Sequence, residues 1–295
     1  MKKIIFHPGF AKTASTLLSE IFLDIDNIES LYQIKKYNSF WKLNKTLFNS
    51  KDDFNELSSV ANFVSEIENY NSDKNILIYS YAGIFNPYRF NMEKNLENFY
   101  QIINTLKNNY DVQILFTLRE QASMLKSWFV SDYDVLRINF KDLNDFLDRE
   151  FSDNRINQFL DFNLLHDQVI SKTGIKPHYL FYEDLLKDRD KFSSGLAEIL
   201  GVTKFTINPK KVNQTKKNTQ GYELIDNKFY YQIYKLNTFL NKNVKFYFPL
   251  TKRIKRIIKN YLSIKLINDI NVSQRNYFKF SNREFFSKIG IKNKF

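Results

Sequence analysis

The first twenty-two residues constrain this chain most. Ile4-Ile5-Phe6 is a short apolar run that reads as a buried strand, and His7 to Lys12 is a tight turn carrying Gly9. Thr13 to Phe22 then places Leu17, Leu18, Ile21 and Phe22 on one face of a helix. Strand, glycine turn, Lys-Thr and helix together form the layout of an anion cradle. The N–H groups at a helix start lack intrahelical partners, and the helix dipole favours negative charge there. Lys12 adds a mobile point charge. The nucleotide-kinase form of such a loop, G-x-x-x-x-G-K-[ST], is not met: Gly9 lies three residues before Lys12, and Ala11 stands where the second glycine belongs. Taken alone, the stretch fits a strand–helix junction with an exposed lysine equally well.

At 295 residues the chain is long enough to bury a sizeable core, and its 43% hydrophobic and 26% charged residues are ordinary for a globular protein. No run reaches the roughly eighteen apolar residues of a membrane span, and no long apolar stretch precedes His7, so a signal peptide is not expected. The absence of cysteine excludes disulfide and thiol chemistry and permits a reducing compartment. The three histidines, at 7, 166 and 178, have no metal-ligand spacing. Seven glycines and five prolines beside abundant Phe, Tyr, Asn, Ile and Lys match the codon bias of an AT-rich, bacterial genome. A cytoplasmic location follows as the expectation, with attachment to the inner membrane face as an addition. The addition comes from charge. Residues 251–295 hold twelve Lys/Arg against two acids, Asp269 and Glu284, and so carry most of the net +12. Polyanions, anionic lipid surfaces and acidic glycans are natural partners for such a segment.

Four apolar runs read as strands: 4–6, 75–80, 112–118 and 178–182. Helix-patterned stretches lie at 54–70, 93–109, 121–131, 142–150, 155–173, 192–200 and 222–240. Strands alternating with helices predict an α/β fold with a mostly parallel sheet. One domain spanning 1–295 is expected, with a helical excursion over 120–175. Residues 253–267 have helical apolar spacing at 254, 257, 258, 261 and 262 opposite a basic face. That pattern fits a packed helix with a solvated face, a helix lying on a membrane, or the wall of a glycan groove. No nucleic-acid motif is present, so no nucleic-acid partner is expected. In parallel sheets ligands bind beyond the carboxyl ends of strands, which directs attention to the residues after Phe6, Ser80, Leu118 and Tyr182.

Several of those places resemble one family. Lys12-Thr13-Ala14-Ser15-Thr16 resembles the P-K-[TS]-G-[TS]-[TS] loop of sulfotransferases that use PAPS (3′-phosphoadenosine-5′-phosphosulfate). Ala11 replaces the family's proline and Ala14 its glycine. The third strand ends in Thr117-Leu118-Arg119, and Ser127 follows eight residues later on a helix. In the family an arginine and serine so placed bind the 3′-phosphate of PAPS; here Glu120-Gln121 stands where proline is frequent. Arginine presents a bidentate fork to phosphate, and serine adds a hydroxyl donor. PHYLFYEDLL at 177–186, followed by Leu200-Gly201-Val202, resembles the family's strand, Y-E-D-L and L-G-V segment. Val212 to Lys217 and Ser281-Asn282-Arg283 to Ile291 are similar to its later segments. Each has a plainer reading: Arg119 as a helix-end residue with Ser127 neutral, Glu183 and Asp184 as helix caps, Lys216 and Lys217 as a solvated turn.

The resemblance implies a P-loop-type three-layer fold and transfer of a sulfuryl group from PAPS to an acceptor hydroxyl, on a glycan or a lipid-linked glycan. The product would be 3′,5′-adenosine bisphosphate, and no metal is required. It implies that Lys12 stabilises charge on the leaving phosphate oxygen. Gly9, the amides of 12–16 and the hydroxyls of Thr13, Ser15 and Thr16 would hold the 5′-phosphate. Arg119, Ser127, Lys216 and Lys217 would meet the 3′-phosphate. Several bacterial members carry a glutamate base in a run resembling S-Y-E-G-L-F; this chain reads Ser80-Tyr81-Ala82-Gly83-Ile84-Phe85, with Ala82 in the glutamate's place. Three explanations fit: an engineered removal of the base, a naturally inactive homologue, or service by another group such as His7. Engineered removal best matches the loss of one functional side chain among intact neighbours. For His7 itself, a hydrogen-bonded structural part is the preferred reading. A P-loop kinase and a non-catalytic polyanion-binding homologue are the alternative functions.

Overall fold

The apolar run at the N-terminus forms β1 (Lys3–His7), and the sheet is assembled on both of its edges. The computed structural model describes residues 1–32, 39–49, 56–85, 92–136, 140, 142–152, 160–203, 205–207, 217–218, 221–225, 264–266, 270 and 272–295. In chain order its elements are β1, α1 (Ser15–Leu23), β2 (Ile28–Ser30), α2 (Ser39–Asn49), α3 (Glu56–Glu68), β3 (Ile76–Ser80) and α4 (Met92–Leu106). These are followed by β4 (Asp111–Leu118), α5 (Gln121–Leu136), α6 (Leu143–Ser152), α7 (Phe162–Thr173), β5 (His178–Phe181), α8 (Tyr182–Lys187) and α9 (Arg189–Leu200). The last are β6 (Lys217–Asn218), β7 (Gly221–Ile225), β8 (Ile264–Leu266) and α10 (Val272–Ile289). The residues fall into two compact units: Met1–Met124 with Asp153–Asn213 and Asn276–Phe295, and Leu125–Ser152 with Gln214–Arg275.

The first unit holds a five-stranded, all-parallel sheet in the order β2-β3-β1-β4-β5. Its strands are apolar on both faces because helices cover both. One face presents Ile5, Ile78, Leu115 and Leu180 to Leu17, Leu18, Ile21 and Phe22 of α1 and to Leu185, Phe192, Leu196 and Leu200 of α8 and α9. The other is built from aromatic rings. Phe6 lies 5.8 Å from Tyr79 and 6.0 Å from Phe99 of α4, and Tyr79 lies 5.0 Å from Phe63 of α3. Phe116 stacks on Tyr179 at 6.0 Å. Each fully buried ring contributes about 2–3 kcal/mol of transfer free energy, so these two layers fix the strand order and the height of the strand tips. The expected α/β architecture is therefore present, as three layers.

Beside β5, the C-terminal part of α10 and the residues after it close this unit. Gln121 and Asn282 exchange two amide hydrogen bonds of 2.8 and 2.9 Å, both side chains buried. Asp161 accepts from Leu164 N–H, capping α7, and from Ser281 Oγ and Tyr277 Oη. The Phe295 ring meets Phe162, Phe181 and Phe286. The Ser281-Asn282 pair of the sequence resemblance thus serves here as a packing anchor.

In the second unit Phe146 of α6 is ringed by Trp128 and Phe129 of α5 and by Phe140, with centroids 5.1–5.9 Å apart. β6, β7 and β8 form a small antiparallel sheet in which Glu223 pairs with Leu266 and Ile225 with Ile264. This corrects two sequence expectations. The helix foreseen over 222–240 begins as strand β7, and the one foreseen over 253–267 ends as strand β8. The reason is period: Tyr222-Glu-Leu-Ile225 and Ile264-Lys-Leu266 are short alternations of apolar and charged residues, and read as either element until a partner strand supplies ladder bonds. Residues 226–240 and 251–263 lie outside the described residues. Between β4 and β5 the described residues include helices α5, α6 and α7. Among the described residues no helix is long and apolar enough to cross a membrane.

Candidate functional site

β1 lies between β3 on one side and β4 on the other, and the chain leaves the sheet in opposite directions around it. Such a switch in strand order opens a crevice at the carboxyl ends of the strands. The three tips there are His7, Ser80 and Thr117, and they are bonded to one another. His7 Nδ1 is 2.8 Å from Ser80 Oγ, and Nε2 is 3.1 Å from Thr117 Oγ1. All three side chains are buried. Burial pushes the His7 pKa down to about 4, so the ring is neutral at physiological pH. With both nitrogens engaged, the ring lies inside the sheet edge.

The loop after His7 is held by its own side chains. Gly9 has φ +44°, where a side chain is disfavoured. Phe10 turns inward against Phe85, Phe116 and Phe162 and pairs in a bridge with Phe85. Thr13 Oγ1 donates to the Phe10 carbonyl at 2.8 Å, so its hydroxyl braces the loop. Lys12 and Ala14 are both left-handed, at φ +70° and +71°, with Thr13 between them on the ordinary side. Alternation of this kind converges successive N–H groups into an anion-binding nest. α1 then starts at Ser15 with no side-chain cap from Ala14 and no acidic residue in its first turn. Ala14 carries a methyl where the backbone favours glycine, at a cost of about 1–2 kcal/mol. Ala14→Gly should therefore raise stability by about 0.5–1 kcal/mol, the extra freedom of glycine in the unfolded chain offsetting part of the gain. A higher urea midpoint at unchanged slope is the expected result; a lower midpoint contradicts the strain.

Arg119 follows β4 and turns back over this loop. Its Nη1 donates to the Lys12 carbonyl at 3.0 Å, and the guanidinium lies 4.6 Å from the centre of the Tyr182 ring. It is buried. Its neighbour Glu120 caps α5, accepting from Ala122 and Ser123 N–H. Glu183 Oε1 accepts from Glu120 N–H at 3.0 Å, which ties the start of α8 to the β4–α5 turn. Glu183 Oε2 is buried with no hydrogen-bond partner among the described residues, and burial pushes the carboxyl pKa up. Asp184 instead pairs with Lys294 at 3.0 Å.

Ala82 follows β3 and lies against the loop: a Cβ built on Gly9 would stand 3.5 Å from the Ala82 methyl. Just before it, Tyr81 N–H donates to the His7 carbonyl. The first unit therefore brings together His7, Gly9, Lys12, Thr13, Ala14, Ser15, Thr16, Ala82 and Arg119. Ser127, buried on α5, and Lys217, in β6, belong to the second unit. Lys216 lies outside the described residues. Sequence reasoning missed Ser80 and Thr117 as partners of His7, Phe10 as the anchor of the loop, and Tyr182 as the surface under Arg119. The strand-end positions of Ser80 and Thr117 were the available signal, since polar residues closing apolar strands need partners.

No family model matches this chain, and no curated protein matches it. Among solved structures it is similar to a sulfotransferase from Alicyclobacillus acidocaldarius, at 13% identity and a TM-score of 0.45, covering 92% of this chain and 98% of that one. It is also similar to the sulfotransferase domain from the curacin biosynthetic pathway, at 14% identity and TM-score 0.39, covering 89% and 98%. A third likeness is to mouse sulfotransferase SULT7A1 complexed with PAP, at 14% identity and TM-score 0.39, covering 88% and 89%. Likeness at these values assigns no activity to this chain.

Proposed function

We propose that this chain is a sulfotransferase that takes a sulfuryl group from PAPS and places it on an acceptor hydroxyl of a glycan or lipid-linked glycan. The observation that carries the reading is the meeting of Arg119 with the left-handed Lys12 loop. Arg119, from the neighbouring strand end, bonds to the loop that carries Lys12, and a loop with two cationic residues suits a nucleotide bearing two separate phosphate groups. The amides of 12–16 would bind the 5′-phosphate, with Ser15 and Thr16 hydroxyls in support. Lys12 would neutralise charge developing on the phosphate oxygen from which sulfur departs. Arg119 would take the 3′-phosphate through its fork. The donor supplies the transferable group, so the protein contributes positioning and electrostatics. Roles for Ser127, Lys216 and Lys217 rest on the sequence resemblance alone. The glycan acceptor rests on the sequence resemblance and on the charge of 251–295, and contact of that segment with an anionic surface rests on charge.

Calorimetry separates this reading from its alternatives. The expected result is micromolar binding of 3′,5′-adenosine bisphosphate that needs no divalent cation and is weakened at least tenfold by Lys12→Ala. Preference for ATP with Mg²⁺ would make the chain a kinase. Absence of both would leave a polyanion-binding protein.

A further inference from the structure

The hydroxyls around His7 form a directed chain whose polarity follows from counting protons. Ser19 Oγ donates to the Ser15 carbonyl at 3.0 Å, which uses its single proton. Ser19 Oγ is also 3.3 Å from Ser80 Oγ, so at that contact Ser80 donates. Ser80, its proton spent, accepts from His7, and Nδ1 therefore carries the hydrogen across 2.8 Å. A neutral imidazole has one N–H, so Nε2 is bare and accepts from Thr117 Oγ1 at 3.1 Å. The chain runs from β4 through β1 and β3 into the first turn of α1. Its end matters because the peptide unit is planar and trans: fixing the Ser15 carbonyl fixes the N–H of Thr16, which points the opposite way in the same plane. Thr16 N–H is among the amides assigned to the anion.

We infer that His7 is a positioning residue: held as the Nδ1–H tautomer, it locks the Ser15–Thr16 peptide of α1 to the strand tips through Ser80 and Ser19, and so aims the loop amides at the phosphate. The inference rests on the nucleotide reading for its consequence, not for its geometry. It also takes His7 out of service as a base, since its bare nitrogen is occupied by Thr117.

The experiment has two arms. Nitrogen-15 NMR of histidine-labelled protein, with the His7 signal assigned by its loss in His7→Leu, is expected to show a protonated Nδ1 and a bare Nε2. The reverse tautomer overturns the inference. The second arm compares variants. Asparagine places a donor at the position of Nδ1, one bond beyond Cγ, whereas glutamine reaches the position of Nε2. His7→Asn should keep the affinity for 3′,5′-adenosine bisphosphate within a few-fold, while His7→Gln and His7→Leu should each weaken it about tenfold, the value of one lost hydrogen bond. Ser19→Ala, which leaves the sheet core untouched, should weaken it several-fold. Wild-type affinity in both Ser19→Ala and His7→Leu overturns the proposal. If the wild-type protein binds no such nucleotide, the function reading fails separately. The Thr16 amide resonance then decides: a marked shift or faster hydrogen exchange in Ser19→Ala sustains the positioning role, and an unmoved signal ends it.

Discussion

Ala82→Glu is expected to raise the rate of sulfuryl transfer by two to four orders of magnitude, the usual yield of a placed general base. The residues grouped at the loop can hold charge but offer no free base. Lys12 and Arg119 are cations, His7 is buried with both nitrogens bonded, and the methyl of Ala82 accepts nothing. Glu183 also belongs to this unit; its Oε1 is held by Glu120 N–H at the β4–α5 turn, which sets the carboxylate's orientation, and its Oε2 has no partner among the described residues. Ala82 is half-buried at the tip of β3, against Gly9, and so beside the loop where the donor would lie. A carboxylate there would stand where an incoming hydroxyl must lose its proton, and neighbouring cations would keep it ionised. Ala82→Gln supplies the same size without basicity and should stay at the level of the unmodified chain. The measurement is release of 3′,5′-adenosine bisphosphate from PAPS in the presence of a mixed glycan and glycolipid acceptor pool, followed against pH. The glutamate variant should gain activity as pH rises through its carboxylate pKa. Equal rates for glutamate and glutamine variants would remove the base from this position.

Much of this was legible from the chain because the signals were local. Continuous apolar runs ending in a polar residue mark strands buried on two faces, and β1, β3, β4 and β5 were found that way. The three-residue β2 was too short to show a period, and the six-residue α8 follows β5 without a break and is likewise too short to show one. The small sheet of the second unit was misread because its strands are defined by partners distant in sequence, as when Ile225 meets Ile264. The site divides in the same manner. Lys12 and its loop are contiguous, and Arg119 stood at a strand end. The Arg119 bond to the Lys12 carbonyl spans 107 residues, and the His7–Thr117 bond spans 110. Contacts of that kind have no periodic signature.

The span of that first bond leads to the second large effect. Arg119→Ala is expected to weaken 3′,5′-adenosine bisphosphate binding by a hundredfold or more, beyond what loss of one phosphate contact explains. A charge-assisted hydrogen bond is worth about 1.5–3 kcal/mol and a buried cation–π contact about 0.5–2 kcal/mol, and Arg119 makes both before any ligand is present. Its bond to the Lys12 carbonyl holds a residue in a left-handed conformation that a lysine does not favour. Without it the loop relaxes and the nest of amides opens, so the 5′-phosphate contacts weaken together with those to the 3′-phosphate. Arg119→Lys removes the fork and keeps the charge. Lysine keeps the charge but lacks the planar fork that spans the Lys12 carbonyl and the Tyr182 ring. It should therefore recover only a minor part of the affinity. Tyr182→Leu removes the ring alone and should cost about tenfold. If Arg119 acted on the ligand only, the Tyr182 variant would bind normally and neither Arg119 variant would lower the urea midpoint of the free protein. Affinity by calorimetry, set against the urea midpoint of each variant, distinguishes these cases, because a loop released from Arg119 loses stability in the absence of nucleotide as well.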